Sequence, residues 1–208
     1  MRLSKNKHLI NDYSLSKFIF IGGNMRIFIA ITFNEIIKSY LQEVQNDIQS
    51  FCSKGNFSYK ENLHLTIRFI GEVNPPEILN IQKAMNRGAE TSRSFQLELS
   101  HLGSFERQNE HLIWIGVGGE LSKLNHLYNV IQLELSRIGI PRDEKSIKPH
   151  ITLARRVQFK EPFEEIRKKI IIEHRKIQTN SIVLMESKRI NGRLTYIPIY
   201  EKRLWGRE

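Results

Sequence analysis

The 208-residue sequence predicts an α+β protein of two lobes that share one site. Two short segments, 63–71 and 149–155, lead to this prediction because apolar and polar residues alternate in both, as in strands with one buried face. Each contains His-x-Thr, and the two histidines, His64 and His150, are 150 − 64 = 86 positions apart. Packing alone does not require the same polar pair twice, so we expect both strands to face a common cleft.

The alternation assigns each side chain of these strands to a face. The expected core face carries Leu63, Leu65, Ile67 and Phe69 in the first strand, and Ile151 and Leu153 in the second. His64 and Thr66 then lie on the opposite face, about 6.5 Å apart along the strand. His150 and Thr152 repeat this arrangement. An imidazole and a hydroxyl at this spacing can both contact one phosphate-sized anion.

Two arginines close to these strands are candidates for binding a negatively charged group. Arg68 is expected on the face of His64, where it either adds charge to the site or is merely solvated. Arg155 is expected on the side of Ile151 and Leu153, so a role in the cleft requires a bulge or the end of the strand. The spacing alone leaves both roles open.

The first half of the chain alternates between strand and helix patterns. We expect a strand over 26–31, a helix capped by Asn34 that runs to about Phe51, and a polar loop over 56–61 before the first His-x-Thr strand. A second helix is expected from Pro75 to about Ala89, and a strand over 95–99.

The second half repeats this plan with little identity of sequence. We expect a strand over 111–117, a helix from Leu121 to about Ile138, and a basic loop over 142–148 before the second His-x-Thr strand. A short charged helix is expected from Pro162 to about Ile172, and strands over 182–185 and 194–200 complete the plan.

Composition narrows the class of protein. The formal net charge is +10, which favours a polyanionic partner such as RNA or DNA. The hydrophobic content of 40% and charged content of 26% are typical of a soluble globular protein. The single cysteine, Cys52, excludes an intramolecular disulfide and favours a reducing, cytoplasmic location. No apolar run approaches the length that crosses a membrane.

Residues 1–24 differ from the rest of the chain. They are polar and basic, and their one apolar patch, 18–21, is too short for the core of a secretory signal. Met25 is immediately followed by the first strand. We therefore expect residues 1–24 to be a dispensable extension, and residues 25–205 to form a single bilobal domain.

Two histidines facing each other across a cleft can catalyse a displacement at phosphorus. With ordinary pKa values near 6.5, one imidazole can accept a proton from water while the other donates one to a leaving oxygen. Thr66 and Thr152 can donate hydrogen bonds to the phosphoryl oxygens. Neither strand has a second His, Cys, Asp or Glu at ligand spacing, which argues against a metal. No phosphate-binding Gly-x-x-x-x-Gly-Lys loop is present either.

The two motifs resemble those of a known enzyme superfamily. The segments 64–67 and 150–153 resemble the paired His-x-Thr-x motifs of the 2H phosphoesterases. Within that superfamily, the longer segments 62–73 and 149–155 are similar to the RNA 2′,3′-cyclic phosphodiesterase branch, also called the 2′-5′ RNA ligase family. The strand at 25–31 and the segment 185–187, with Gly192 and Tyr196, also match, so the resemblance covers about 25–205.

The resemblance implies both a fold and a reaction. The fold is bilobal, with two pseudo-symmetric lobes that each carry an antiparallel sheet flanked by helices, and a V-shaped active-site cleft between them. The reaction is the hydrolysis of a terminal 2′,3′-cyclic phosphate to a 2′-phosphomonoester without metal or other cofactor. His64 would be the proton donor and His150 the proton acceptor, and Thr66, Thr152 and, with less support, Arg155 would bind the phosphate.

Two other functions fit the same residues. Reversible joining of RNA ends through a 2′-5′ bond is the reverse chemistry, with a ribose hydroxyl in place of water. A non-catalytic module that binds RNA ends is the second alternative, although binding alone would tolerate loss of the histidines. The expected substrates are RNA ends or small cyclic nucleotides, and the expected state is a monomer with no membrane contact and no obligatory protein partner.

Overall fold

The computed structural model describes residues 23–206, which form nine strands and four α-helices. The prediction for residues 1–24 therefore lies almost wholly outside the described residues. The strands are β1 (Met25–Thr32), β2 (Cys52–Phe57), β3 (His64–Val73), β4 (Phe95–Arg107), β5 (Glu110–Gly119), β6 (His150–Phe159), β7 (Lys176–Thr179), β8 (Ser181–Ile190) and β9 (Arg193–Arg203). The helices are α1 (Glu35–Ser50), α2 (Pro75–Glu90), α3 (Leu121–Ser136) and α4 (Phe163–Lys169).

All pairings between these strands are antiparallel, and their order is β7-β4-β5-β6-β3-β1-β8-β9, with β2 also paired to β6. The sheet has two halves that join where β3 meets β6, through the single pair Leu65↔Ile151. Each of these strands begins at its histidine, so the two overlap only at their first residues and then run in opposite directions. The predicted α+β fold with two antiparallel, pseudo-symmetric halves is confirmed.

The two halves of the sheet are not the two halves of the chain. β8 and β9 come last in the sequence, yet β8 pairs with β1 in the half that contains His64. Helix α1 follows β1 but packs on the other half, where Gln45 Nε2 donates to the carbonyl of Leu153 at 2.8 Å. One continuous hydrophobic core links both halves.

Matching β-bulges lie in the two motif strands. In β3, Thr66 pairs with Ala30 and Arg68 with Ile29, so Ile67 is an extra residue. In β6, Thr152 pairs with Trp114 and Ala154 with Ile113, so Leu153 is an extra residue. The two extra residues are again 153 − 67 = 86 positions apart. A bulge exchanges the faces of the residues that follow it, so both strands lose their simple alternation at the same place.

The bulges correct two expectations about the motif strands and meet the condition stated for a third residue. Arg68 does not lie on the face of His64: its side chain is 8% exposed and turned into the protein. Phe69 does not lie in the core, since it is 45% exposed. A role for Arg155 in the cleft required a bulge in its strand. That bulge is present, and Arg155 lies on the exposed face.

The other predicted elements are present, with some differences in extent. Asn34 caps α1 as expected, its Oδ1 accepting from the Ile37 amide at 3.0 Å. The polar loop predicted at 56–61 is partly strand β2, and β4 runs well beyond the predicted residues 95–99. Strand β7 lies outside the predicted elements. Among residues 23–206, no helix is both long and apolar enough to cross a bilayer.

Candidate active site

His64 is anchored by the backbone just before it. Its Nδ1–H donates to the carbonyl of Asn62 at 2.6 Å, because a carbonyl can only accept. This bond leaves Nε2 unprotonated in the neutral ring, where it lies 2.9 Å from the hydroxyl of Thr66. Burial, followed by the charges of Arg155 and His150, lowers the pKa of His64 to about 4, against the raising effect of the Asn62 carbonyl. The imidazole is therefore neutral at pH 7 in the unliganded protein.

His150 repeats the same anchoring in β6. Its Nδ1–H donates to the carbonyl of Lys148 at 2.7 Å, again two residues before the histidine. Both rings therefore direct Nε2 away from their own backbone. The pairing of Leu65 with Ile151 brings the two histidines close together, and the charge of His150 contributes to lowering the pKa of His64.

The pairing of β3 with β6 brings both His-Thr pairs to one face. Leu65 and Ile151 are fully buried opposite each other, so the residues on either side of them point the other way. Because the strands are antiparallel, His64 is nearest to Thr152, and Thr66 is nearest to His150. The four side chains thus surround one point with approximate two-fold symmetry.

Each histidine lies against a pair of aromatic rings. Phe28 and Tyr196 have ring centroids 4.9 Å and 5.0 Å from that of His64. Phe105 and Trp114 have centroids 5.6 Å and 6.2 Å from that of His150. These contacts restrict the orientation of both imidazoles and reduce the access of water to them. For His64, this loss of hydration is the main cause of the low pKa.

Two chambers meet at His64. The smaller has a volume of about 470 Å³ and contains Thr66, Phe69 and Arg26 in its wall. The larger has a volume of about 590 Å³ and contains Thr152, Arg156 and Tyr59. Arg155 lines both chambers. Of the residues predicted from the sequence, His64, Thr66, Thr152 and Arg155 therefore line the cleft, and His150 lies beside it against Phe105 and Trp114.

Asn62 attaches the last strand to the entrance of β3. Its buried side chain donates from Nδ2 to the carbonyl of Leu194 at 2.8 Å and accepts at Oδ1 from the amide of Tyr196 at 3.0 Å. Tyr196 is thereby held against His64, and the hairpin that carries Arg189 and Arg193 overhangs the cleft.

The sequence reasoning missed most of the cleft wall. Asn62 is not predicted as a cleft residue because a single asparagine before a strand does not indicate a functional role. The arginines of the β8–β9 hairpin are not predicted either, because nothing local relates them to a site so much earlier in the chain. Within residues 23–206, no group of three or more His, Cys, Asp or Glu side chains could hold a metal ion.

Comparison with known proteins places these features in a family. A family model described as LigT like phosphoesterase matches residues 31–114. An RNA 2′,3′-cyclic phosphodiesterase from Thermotoga maritima is 32% identical over 143 residues, which cover 68% of this chain and 75% of that protein.

Solved structures show the same fold. The protein TT0787 of Thermus thermophilus aligns with a TM-score of 0.74 and 22% identity, over 88% of this chain and 100% of that chain. E. coli LigT in complex with 3′-AMP aligns with a TM-score of 0.71 and 23% identity, over 87% of this chain and 98% of that chain. The family model and the 32% identity to the Thermotoga maritima protein, over 75% of its length, show that the chain belongs to the LigT-like branch of the 2H phosphoesterases, a family of phosphodiester hydrolases.

Proposed function

We propose that this protein hydrolyses RNA 2′,3′-cyclic phosphate ends to 2′-phosphomonoesters, with His64 and His150 as the acid–base pair and without a metal. The observation that supports this most is the repeated anchoring of the two imidazoles. Both donate Nδ1–H to the carbonyl two residues earlier, and both lie beside a threonine on the same face of the sheet. This arrangement suits proton transfer to and from opposite sides of one phosphate.

The chemistry follows from these positions. His150 Nε2 accepts a proton from water as the water oxygen bonds to phosphorus, and the bond from phosphorus to the 3′ oxygen breaks. Protonated His64 gives its Nε2 proton to that leaving oxygen. Thr66, Thr152 and Arg155 hold the non-bridging oxygens, where charge increases in the transition state.

The donor role of His64 requires the bound substrate. A pKa of about 4 leaves the free imidazole neutral at pH 7. A phosphate anion beside His64 adds an opposite charge in a poorly solvated site, and this raises the pKa of the His64 imidazole. We therefore propose that the substrate itself brings His64 into its protonated form. In the unliganded protein, Nε2 of His64 lies against the Thr66 hydroxyl. Once protonated, Nε2 donates a hydrogen bond to the substrate in place of this contact.

The relatives support the class of substrate. The Thermotoga maritima relative is named an RNA 2′,3′-cyclic phosphodiesterase, and E. coli LigT has been solved with 3′-AMP. A net charge of +10 suits RNA as the partner. We propose a monomer that acts in the cytoplasm, the reducing compartment that its single cysteine favours.

The decisive experiment uses an oligoribonucleotide with a 2′,3′-cyclic phosphate end in excess EDTA. We expect the wild-type protein to produce a 2′-phosphate, and His64→Ala and His150→Ala each to lose at least about 10²-fold in kcat. His126→Ala, at an exposed histidine of α3, is the matched control. Near-normal rates in either cleft variant, or activity restored only by an added metal, would exclude the proposed mechanism.

Two further results would favour the alternatives. If an oligonucleotide with a free 5′ hydroxyl is supplied and a 2′-5′ linkage accumulates faster than the 2′-phosphate, end joining is the main reaction. If the cyclic end binds tightly without turnover, the protein is a binding module.

A further inference from the structure

The arginines of the larger chamber exceed what one cyclic phosphate requires. That phosphate carries a single negative charge, and the two threonines with Arg155 can already hold its oxygens. Beyond them the same chamber is lined by Arg156, Arg189 and Arg193. Of these three, Arg193 lies against Tyr59, and Arg189 also lines the smaller chamber.

No carboxylate lines either chamber at His64, in contrast to two other cavities of the described residues. The cavity beside His111 includes Glu106 and Glu164, and the cavity beside Tyr128 includes Asp143 and Glu144. Within residues 23–206, Arg155, Arg156 and Arg189 have no carboxylate within 4.0 Å, whereas Arg193 pairs with Glu61. The excess positive charge of the larger chamber is therefore mostly uncompensated.

The backbone fixes the positions of two of these arginines, Arg156 in β6 and Arg189 in the β8–β9 hairpin. Arg156 lies at the second irregularity of β6 with φ of +53°, a conformation that costs energy for a residue with a side chain. There the two consecutive residues Arg155 and Arg156 are both exposed, and both line the chamber. In the β8–β9 hairpin, Arg189 Nη1 donates to the carbonyl of Gly192 at 2.8 Å, across the turn between the two strands.

An aromatic ring completes the far end. Tyr59 is 47% exposed, and the guanidinium of Arg193 lies 3.5 Å from its ring centroid. Positive charge along a groove combined with a stacking surface is the usual way in which proteins bind single-stranded nucleic acid without reading its sequence.

We propose that the larger chamber binds the phosphodiester backbone of the nucleotides that precede the cyclic end. Arg156, Arg189 and Arg193 contact the backbone phosphates, and Tyr59 stacks on a base. This inference rests on the proposed function and makes the enzyme selective for oligonucleotide ends over cyclic mononucleotides. The selectivity comes from charge and stacking, so it is largely independent of base sequence.

The test compares kcat/KM for a 2′,3′-cyclic mononucleotide and for a pentanucleotide with the same cyclic end. We expect the wild-type protein to prefer the pentanucleotide, and Arg156→Gln and Arg189→Gln each to lower the ratio of the two values by about tenfold. Each substitution should also reduce the dependence of log KM on log salt by about 0.7 for the pentanucleotide. Arg107→Gln, at an exposed arginine next to the β4–β5 turn, is the matched control.

Further variants separate charge from conformation. Arg156→Gly accepts the positive φ without strain, so it should show the same loss as Arg156→Gln, while Arg156→Lys should restore most of the ratio. A wild-type protein with no preference, or variants that slow both substrates equally, would overturn the proposed subsite. Failure of the proposed function would look different, because neither the mononucleotide nor the pentanucleotide would then be hydrolysed by any form.

Discussion

The guanidinium of Arg68 is ion-paired with the carboxylate of Asp143, which joins β3, just after its first bulge, to the loop that precedes His150. Arg68 Nη2 also donates to the carbonyl of Pro141 at 2.6 Å. Tyr128 of α3 holds the same loop by donating its hydroxyl to the carbonyl of Lys145 at 3.0 Å. The strand that carries His64 and the loop that leads to His150 are thus fixed relative to each other.

We expect Arg68→Met to lower the free energy of unfolding by about 1–3 kcal/mol. We also expect it to reduce kcat, with a smaller effect on KM. The stability loss is moderate because the Asp143 side chain is 42% exposed, so water can solvate the carboxylate left behind. The kcat loss follows from misplacement of His150. Urea unfolding and steady-state kinetics measure the two effects.

The control for Arg68 is Arg87→Met. Arg87 pairs with Glu134 and joins α2 to α3, away from both histidines. The Arg87→Met variant should have a lower free energy of unfolding and a nearly unchanged kcat. Equal kinetic effects in the two variants would show that Arg68 acts only through global stability.

We expect Asn62→Ala to destabilise the protein by about 1–3 kcal/mol, because it leaves the Leu194 carbonyl and the Tyr196 amide without their buried partner. The hairpin then loosens, and Tyr196 no longer holds water away from His64. The pKa of His64 should therefore rise towards its ordinary value, which NMR titration of the imidazole protons can follow. A His64 pKa that stays near 4 would show that burial at this position does not depend on the hairpin.

The depressed pKa of His64 makes stability depend on pH. The unfolded chain binds this proton near pH 6.5 and the folded protein only near pH 4, so the penalty is absent above 6.5 and grows as the pH falls towards 4. His64 alone should lower the free energy of unfolding by about 2 kcal/mol between pH 7 and pH 5. His64→Asn should remove this component from the denaturation curves and His126→Asn should not. Parallel curves for wild type and His64→Asn would mean that His64 titrates normally in the folded protein.

Deletion of residues 1–24 should leave both activity and the free energy of unfolding unchanged. The pairing of β1 with β3 begins at Met25↔Val73, so the shortened chain keeps the whole of β1. The measurement is the specific activity and urea midpoint of the shortened protein beside the full chain. A clear loss in either would assign the leading segment a structural or catalytic part.

The local pattern of the sequence is sufficient to predict which four side chains of the motif strands share one face, but not which residues form the walls of the cleft. His64, Thr66, His150 and Thr152 are predictable because two residues per repeat of a strand fix their common face. Arg68 and Phe69 are placed wrongly by the same pattern because their faces depend on a bulge. That bulge is set by the register of β3 against β1, so it cannot be predicted from the alternation of residues within β3 alone.

The limits of prediction at the cleft are those of tertiary contact. Arg189 and Arg193 reach the cleft only through the pairing of β8 with β1 and the bond from Asn62 to Leu194. Strand β2 extends into a segment whose polar residues predict a loop. It forms because the edge of β6 beyond Ala154 has backbone groups that need partners.

The position of β8 and β9 has a consequence for synthesis of the protein on the ribosome. β1 is made long before β8, the strand that covers its second edge. Until then the edge of β1 has unpaired backbone groups, and His64 lacks Tyr196. The half of the sheet that contains His64 is therefore completed only after β8 and β9 have been made, and aggregation or chaperone binding is most expected during the interval in which β1 is open.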